Sequence, residues 1–173
     1  MVEGNVVLAR TWGMFSPFLW WNSQPLLVRN YPWYLNELAL HIGHPQLTEL
    51  SHRFLFDQLN PDSEVSSNDI QLELCPEITG KISVFHSAVA TYFAPSDECG
   101  LWGMCHERIR SCPVWQKKAP WCDCALVVED DDKPGMKGMN VVRIQLFFSF
   151  IHLDEYYPCA LVEWFSTIGW SPD

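Results

Sequence analysis

Strict alternation of apolar side chains near the end of the chain constrains the fold more than any other sequence feature. In residues 141–151 every second position is apolar, and residues 157–165 form a second apolar run rich in β-branched and aromatic side chains. A period of two is typical of a β-strand, and residues 152–156 are just long enough to reverse the chain. The sequence therefore predicts a β-hairpin with large aromatic side chains on both faces.

Shorter apolar segments precede this hairpin. Residues 81–93 and 125–128 are rich in β-branched and aromatic residues, and an acidic, glycine-containing loop at 129–140 separates the second segment from the hairpin. We predict that residues 61–173 form a mostly antiparallel β-rich module, either a sheet or a partial barrel.

Helical periodicity is confined to the segment before residue 60. Residues 33–42 predict a short helix that ends at Gly43 and Pro45, and residues 47–59 carry an apolar stripe at helical spacing. Residues 60–69 contain turn-forming residues without an apolar period, which is typical of a linker. We therefore predict an α+β fold in which a helical hairpin, residues 31–60, precedes the β-rich module.

The N-terminal segment, residues 1–30, is poorly defined by its sequence. The start of the chain has no positively charged region, so we expect no secretory signal and mostly reduced thiols. Residues 11–28 are uncharged, but Pro17 and Pro25 interrupt them, so we expect no membrane span and no membrane partner. We expect an intracellular location, the nucleus included.

The charge of the chain opposes nucleic-acid binding. Eleven basic residues against 21 acidic ones give a net charge of −10, which repels phosphates at long range. One local basic group could still contact phosphates and stack on bases, although an ordinary solvated surface is the alternative. Its members are Arg108, Arg110, Trp115, Lys117 and Lys118.

The sequence contains reactive side chains but no catalytic motif. It has no phosphate-binding loop, no dinucleotide fingerprint and no nucleophile elbow. A cluster of thiols with one imidazole could coordinate zinc, but the intervals between these residues differ from those of structural zinc sites, so buried thiols are the favoured interpretation. The cluster comprises Cys99, Cys105, His106, Cys112, Cys122 and Cys124. We therefore predict a protein that is not an enzyme and that binds no metal or cofactor.

Five ordered segments resemble a known family. They are residues 53–62 (RFLFDQLNPD), 74–77 (LCPE), 80–97 (GKISVFHSAVATYFAPSD), 141–150 (VVRIQLFFSF) and 157–165 (YPCALVEWF). This series resembles the C-terminal region of fungal Plavaka-type transposases, a branch of the CACTA-like DNA transposons. The resemblance covers residues 31–173 and leaves out residues 1–30.

The resemblance implies a non-catalytic role. In such transposases the acidic residues that hold the catalytic metals lie in a nuclease core upstream of this region, and similar proteins continue beyond the hairpin. We therefore expect a gene fragment or relic reading frame, truncated at its C-terminus. The extra cysteines Cys99, Cys105 and Cys112 depart from the family pattern, whereas Cys75, Cys124 and Cys159 agree with it.

Our leading hypothesis is an accessory or interaction module, or remnant, of such a transposase. Its partners would be other transposase domains or DNA, with weak local DNA contact at most. The alternative is a domesticated protein–protein interaction module that uses an exposed edge of the hairpin.

We expect the helical hairpin and a strand at residues 81–93 to cover one face of the β-hairpin. The other face would be completed by residues beyond 173, for which residues 1–30 are an unlikely substitute. Because the truncation would leave the strand at 157–165 without a neighbour, we expect the chain to be marginally stable and to self-associate through that strand.

Overall fold

A computed structural model describes residues 6–10, 30–93, 104–113, 119–128, 132–133 and 138–165. Strands are β1 (Val6–Arg10), β2 (Ser83–Phe85), β3 (Ser87–Phe93), β4 (Met104–Cys112), β5 (Trp121–Cys122), β6 (Cys124–Val128), β7 (Met139–His152) and β8 (Glu155–Trp164). The helices are α1 (Leu35–His41) and α2 (Leu47–Leu59), and two short 3₁₀ turns, Ser67–Asp69 and Leu72–Leu74, follow them. Every registered strand pair is antiparallel, so the predicted α+β class with a β-rich module is confirmed.

The two helices begin and end close to their predicted positions. The end of α1 is set by Gly43, whose positive φ of 73° suits a residue without a Cβ atom. The amides of Gly43 and His44 donate to the carbonyls of Leu40 and Ala39, the pair of hydrogen bonds that closes a helix in a Schellman motif. The chain can therefore reverse into α2 within a few residues.

Two sheets are stacked in this fold. The larger sheet has the strand order β1-β8-β7-β2, with β6 also paired to β7, and the smaller sheet has the order β3-β4-β5. The segment predicted as one strand at residues 81–93 is in fact two strands in different sheets. His86 lies between them, where the chain crosses from the larger sheet to the smaller one.

The larger sheet is covered on both faces, each by a different element. On one face, both helices pack on Leu146, Phe148, Phe150 and Tyr157. On the other face, the smaller sheet contributes Ala88 and Ile109 to a second core. The buried members of this core are Phe85, Ala88, Ile109, Val127, Val142, Ile144, Phe147, Ala160 and Val162. We had expected the helices and the strand at 81–93 to cover one face and to leave the other open. That expectation is wrong because β3 crosses to the opposite side after His86.

A β-bulge at Gln145 divides the alternating residues of β7 between these two cores. Ile144 pairs with Val162 and Leu146 pairs with the next residue, Leu161, so Gln145 has no opposite residue. An extra residue changes the face of every side chain after it. As a result, Ile144 lies in the smaller-sheet core and Leu146 in the helix core, although uninterrupted alternation predicts the same face for both.

The free edge expected along β8 is occupied. Strand β1 pairs with it in antiparallel register, from Val6 opposite Glu163 to Arg10 opposite Cys159. We had treated residues 1–30 as an unsuitable neighbour for this strand, and the pairing of Val6–Arg10 corrects that expectation. The edge of β8 at Cys159–Glu163 is therefore not free to pair with a second copy of the chain or with a strand of another protein.

Candidate interaction surface

The structure describes two of the five residues in the predicted basic group. Arg108 and Arg110 lie two positions apart in β4, on the same side of the strand. The Arg108 guanidinium donates a hydrogen bond to the Ser87 hydroxyl at 2.9 Å. Arg110 is paired with Asp123, whose carboxylate accepts from the Arg110 amide at 2.8 Å and lies 3.9 Å from its guanidinium. Trp115, Lys117 and Lys118 lie outside the described residues.

The Arg110–Asp123 pair weakens the case for a phosphate site. The carboxylate of Asp123 partly neutralises the nearby guanidinium, and an approaching phosphate would have to compete with it. Arg108 is exposed and bonded to a neutral hydroxyl. Of the described part of the basic group, Arg108 is thus the better placed for a phosphate contact.

The cysteines do not assemble into a metal site within the described part of the chain. There, no three His, Cys, Asp or Glu side chains converge in a way that could hold a metal ion. Cys112 and Cys122 lie in the paired strands β4 and β5, and burial raises the pKa of both thiols. A raised pKa favours the protonated thiol, which is a poor nucleophile and ligand. Cys99 lies outside the described residues.

A polar cluster surrounds His86 where the chain crosses between the sheets. The hydroxyl of Tyr31 and Nε2 of His86 are 3.2 Å apart and share a hydrogen bond. The His86 carbonyl accepts from the Ser111 amide at 2.8 Å and from the Cys112 thiol at 3.5 Å. Burial lowers the pKa of His86 and raises that of Tyr31, so both are neutral near pH 7. These contacts hold the two sheets together, so the position of His86 has a structural explanation.

The end of the β7–β8 hairpin shows a backbone feature that packing does not explain. Leu153 and Asp154 form the two-residue turn, with φ values of 49° and 63°. Two consecutive positive φ values are typical of a type I′ turn, which favours Asn-Gly or Asp-Gly because a side chain is strained there. Leu153 is nevertheless leucine and is 80% exposed. Leu153 therefore combines a strained backbone with the largest exposed fraction of any large apolar side chain among the described residues.

Further apolar side chains adjoin this turn. Ile151 and Tyr156 are cross-strand partners on one side of the hairpin and are 60% and 50% exposed. Trp33 is 56% exposed, and the Lys81 ammonium lies 4.1 Å from its ring centre. The backbone at Gly80, next to Lys81, lies close to Ile151: a Cβ atom at Gly80 would be only 3.1 Å from the Ile151 carbonyl oxygen. Gly80 thus brings the Trp33–Lys81 pair near the Ile151–Tyr156 pair.

We name these residues the hairpin-end surface: Trp33, Lys81, Ile151, Leu153 and Tyr156. One exposed carboxylate borders it, that of Asp154, which follows Leu153 in the turn. The Glu155 carboxylate accepts a hydrogen bond from the Tyr157 hydroxyl at 3.1 Å, on the face of the sheet that the helices cover. Contiguous exposed apolar side chains with a polar border are typical of a protein interaction site.

Sequence reasoning placed the hairpin correctly but missed this surface. The available signal was the pair Leu153-Asp154 in a two-residue turn, where a glycine-containing pair is expected. Trp33 and Lys81 could not have been added from sequence, because the hydrogen bond from the Ile82 amide to the Trp33 carbonyl (2.7 Å) joins segments 49 positions apart.

Comparisons with known proteins identify no relative of this chain. No protein-family model, no curated protein and no solved structure matches the chain. Among the described residues, no helix is long and apolar enough to cross a lipid bilayer. The resemblance to Plavaka-type transposases therefore stays a prediction from the sequence.

Proposed function

We propose that this chain is a non-catalytic interaction module of a Plavaka-like transposase, and that it acts by binding another protein at the hairpin-end surface. One observation carries the proposal: strained, 80% exposed Leu153 lies beside exposed Ile151 and Tyr156. Strain in a backbone persists only where the surrounding structure enforces it, and it is commonly found at functional positions.

The proposal modifies the alternative that uses a free hairpin edge. Strand β1 occupies that edge along Cys159–Glu163, whereas Ile151 and Tyr156 lie at the opposite end of the hairpin. Binding would therefore use exposed side chains rather than the addition of a strand. DNA contact, if it accompanies this function, would involve Arg108 and would be secondary.

A peptide-display selection against the full chain tests the proposal. The target variant combines Ile151→Thr, Leu153→Asn and Tyr156→Thr. The matched control variant combines Val65→Thr, Leu40→Asn and Leu74→Asn, which removes three exposed apolar side chains elsewhere.

We expect the wild-type chain and the control variant to enrich the same peptide family, and the target variant to lose it. Enrichment of no common family, or of the same family by all three proteins, would contradict the proposal. Circular dichroism of each variant would establish that it is folded before the selection.

A further inference from the structure

We infer that Cys122 and Cys124 form a redox-sensitive pair of thiols, which hydrogen peroxide converts into a reversible disulfide. This inference goes beyond the proposed function and does not depend on the hairpin-end surface. Three observations carry it: the fixed residue between the two cysteines, their common neighbour Arg143, and their unequal exposure.

Hydrogen bonds fix the residue between the two thiols. Asp123 lies where the chain crosses from β5 in the smaller sheet to β6 in the larger one. Its amide donates to the Arg110 carbonyl at 2.9 Å, and its carbonyl accepts from the Ile144 amide at 3.0 Å. Its carboxylate accepts from the Arg110 amide at 2.8 Å and from the Trp121 indole. The two cysteines that flank Asp123 are therefore held in a constant relation to each other.

The separation of the two cysteines suits a disulfide. In a fully extended chain, the Cα atoms of residues two positions apart are about 6.6–7.2 Å apart. A disulfide joins Cα atoms that are about 4.4–6.8 Å apart. Because β5 and β6 belong to different sheets, the chain bends at Asp123, and a bend shortens the separation. The crossing thus brings Cys122 and Cys124 towards bonding range.

Both thiols lie beside the same guanidinium. Cys124 is the cross-strand partner of Arg143 in the β6–β7 pair. The charges of Arg143 and of Cys124 also act on Cys122. Burial raises the pKa of the Cys122 thiol, and the Ser111 hydroxyl and Arg143 oppose part of this effect. The shared neighbour indicates that Cys122 and Cys124 face the same side of the crossing.

Cys112 is the other thiol near Cys122, but strand register directs it elsewhere. Cys122 lies opposite Ser111, and Trp121 lies opposite Cys112. Successive side chains of a strand alternate between the two faces of the sheet, so Cys112 and Cys122 lie on opposite faces. Cys124 is therefore the expected partner of Cys122.

Unequal exposure sets the order of the reaction. Cys124 is exposed, whereas Cys122 is only partly exposed, so a dissolved oxidant reaches Cys124 first. Redox-sensitive cysteines are typically accessible and adjacent to a second cysteine that resolves the first oxidation product. Cys122 has this second position, and its attack within the same chain benefits from proximity.

The two steps consume one molecule of peroxide and release two of water. In the first step, the Cys124 sulfur attacks one peroxide oxygen, the O–O bond breaks, and the thiol becomes a sulfenic acid as water leaves. In the second step, the Cys122 sulfur attacks the Cys124 sulfur and the S–O bond breaks. The hydroxyl leaves with the Cys122 proton as the second water, and the disulfide remains. A partly exposed disulfide is readily reduced by an added thiol, which restores both cysteines.

Peptide mapping of the full chain tests this inference. The chain is freed of reductant, treated with hydrogen peroxide, unfolded, alkylated with iodoacetamide and digested with trypsin. The fragment 119–137 contains Cys122 and Cys124 and no other cysteine. We expect this fragment to lose two hydrogens and to escape alkylation, and we expect treatment with glutathione before alkylation to reverse both changes. Buried Cys159 in the same sample is the internal control, and its thiol should disappear about tenfold more slowly.

Two variants separate the roles of the thiols. Cys124→Ser changes an exposed side chain, so it should fold normally, and oxidation of fragment 119–137 should slow about tenfold. Cys122→Ser should still form the sulfenic acid at Cys124, which dimedone traps in larger amounts than in the wild-type chain because no second thiol removes it. Circular dichroism establishes that each variant is folded, and Cys122→Ala replaces Cys122→Ser if the latter is not.

Three results would overturn the inference. They are fragment 119–137 remaining reduced when Cys159 is oxidised, a disulfide that joins Cys122 to Cys112 instead, and equal trapping by dimedone in the wild-type chain and in the variant at Cys122. The wild-type map alone decides between the first two results and the expected one, so the test does not depend on the variants.

Discussion

The hydroxyl of Tyr31 lies 3.2 Å from Nε2 of His86, and this hydrogen bond joins the segment before the first helix to the crossing between the two sheets. The Tyr31 ring also meets the rings of His41 and His86 edge-on, at 5.3 and 5.8 Å between centres. One partly buried tyrosine thus connects a helix end, the larger sheet and the smaller sheet. The protonation state of His86 is therefore coupled to the packing of all three.

The free energy of unfolding should fall as the pH drops below about 6.5, the ordinary pKa of histidine. Burial lowers the pKa of His86 and of His52 in the folded chain, although the charge of Glu77 partly opposes the effect at His52. The unfolded chain then binds protons at a higher pH than the folded chain, so acid favours unfolding. Urea titrations between pH 7.5 and 5.5 measure this slope.

Replacement of His86 identifies its share of that pH dependence. His86→Gln keeps a polar side chain but does not titrate, so the slope should become smaller while the dependence due to His52 remains. His44→Gln is the control at a histidine outside this cluster. An unchanged slope in His86→Gln would contradict the assignment.

Asp57→Ala should destabilise the chain by about 1–3 kcal/mol, the usual effect of leaving buried donors unsatisfied. The Asp57 carboxylate accepts from the Ser67 amide at 3.1 Å and from its hydroxyl at 2.7 Å, and Ser67 is buried. Thermal unfolding monitored by circular dichroism provides the measurement. The control is Asp62→Ala in the exposed turn, which should change stability by less than about 0.5 kcal/mol.

Much of this fold follows from local sequence patterns. Both helices and the β7–β8 hairpin were predicted because apolar periodicity and Gly43 act within a few residues. The bulge at Gln145 could not be predicted, because the strand still alternates in sequence and only its two cores reveal the change of face. Strand β4 was missed since its exposed charged residues, such as Glu107 and Arg108, hide the alternation.

The site was less predictable than the fold. The basic group was chosen by residue type, and the neighbouring carboxylate of Asp123 could not be foreseen because it reaches Arg110 through strand pairing. Leu153 was recognisable as a turn residue, but its exposure depends on the length and register of both strands. Contacts between distant segments therefore account for most of what sequence reasoning missed.

Deletion of Gln145 should preserve cooperative unfolding. Without the extra residue, Ile144 and Leu146 become neighbours and keep their partners Val162 and Leu161, so the side chains on both sides of the former bulge still face their present cores. Gln145→Ala keeps the bulge and loses only the hydrogen bond from its amide to Glu163, 2.7 Å long, so it should cost about 0.5–1.5 kcal/mol. Calorimetry of both variants compares the two effects, and loss of the cooperative transition in the deletion variant would contradict the assignment of Gln145 as the extra residue.

DNA binding by the full chain should be weak and should weaken further with salt. The net charge of −10 opposes phosphates, and Arg110 is paired with Asp123. Arg108→Ala should reduce the remaining affinity more than Arg143→Ala, because Arg143 is engaged with Glu163 at 3.5 Å. Fluorescence anisotropy with labelled duplex DNA checks this, and submicromolar binding that does not depend on salt would contradict it.

Removal of residues 1–10 should convert the chain into a self-associating protein. Strand β1 occupies the edge of β8 from Cys159 to Glu163, and its deletion exposes unpaired amides and carbonyls beside apolar residues. Such an edge pairs readily with another copy. Light scattering at about tens of micromolar, a range in which exposed edges associate, should show a monomer for the full chain and larger species for the truncated one.

A single substitution within β1 separates pairing from chain length. Leu8→Pro removes a backbone donor and disfavours the strand conformation, so it should promote association as the truncation does. Loss of residues 1–5 alone leaves the Val6–Arg10 pairing in place and should not promote association. If the truncated chain and Leu8→Pro both remain monomeric and unfold cooperatively, β1 does not protect the sheet edge, and the edge must be kept from association in another way.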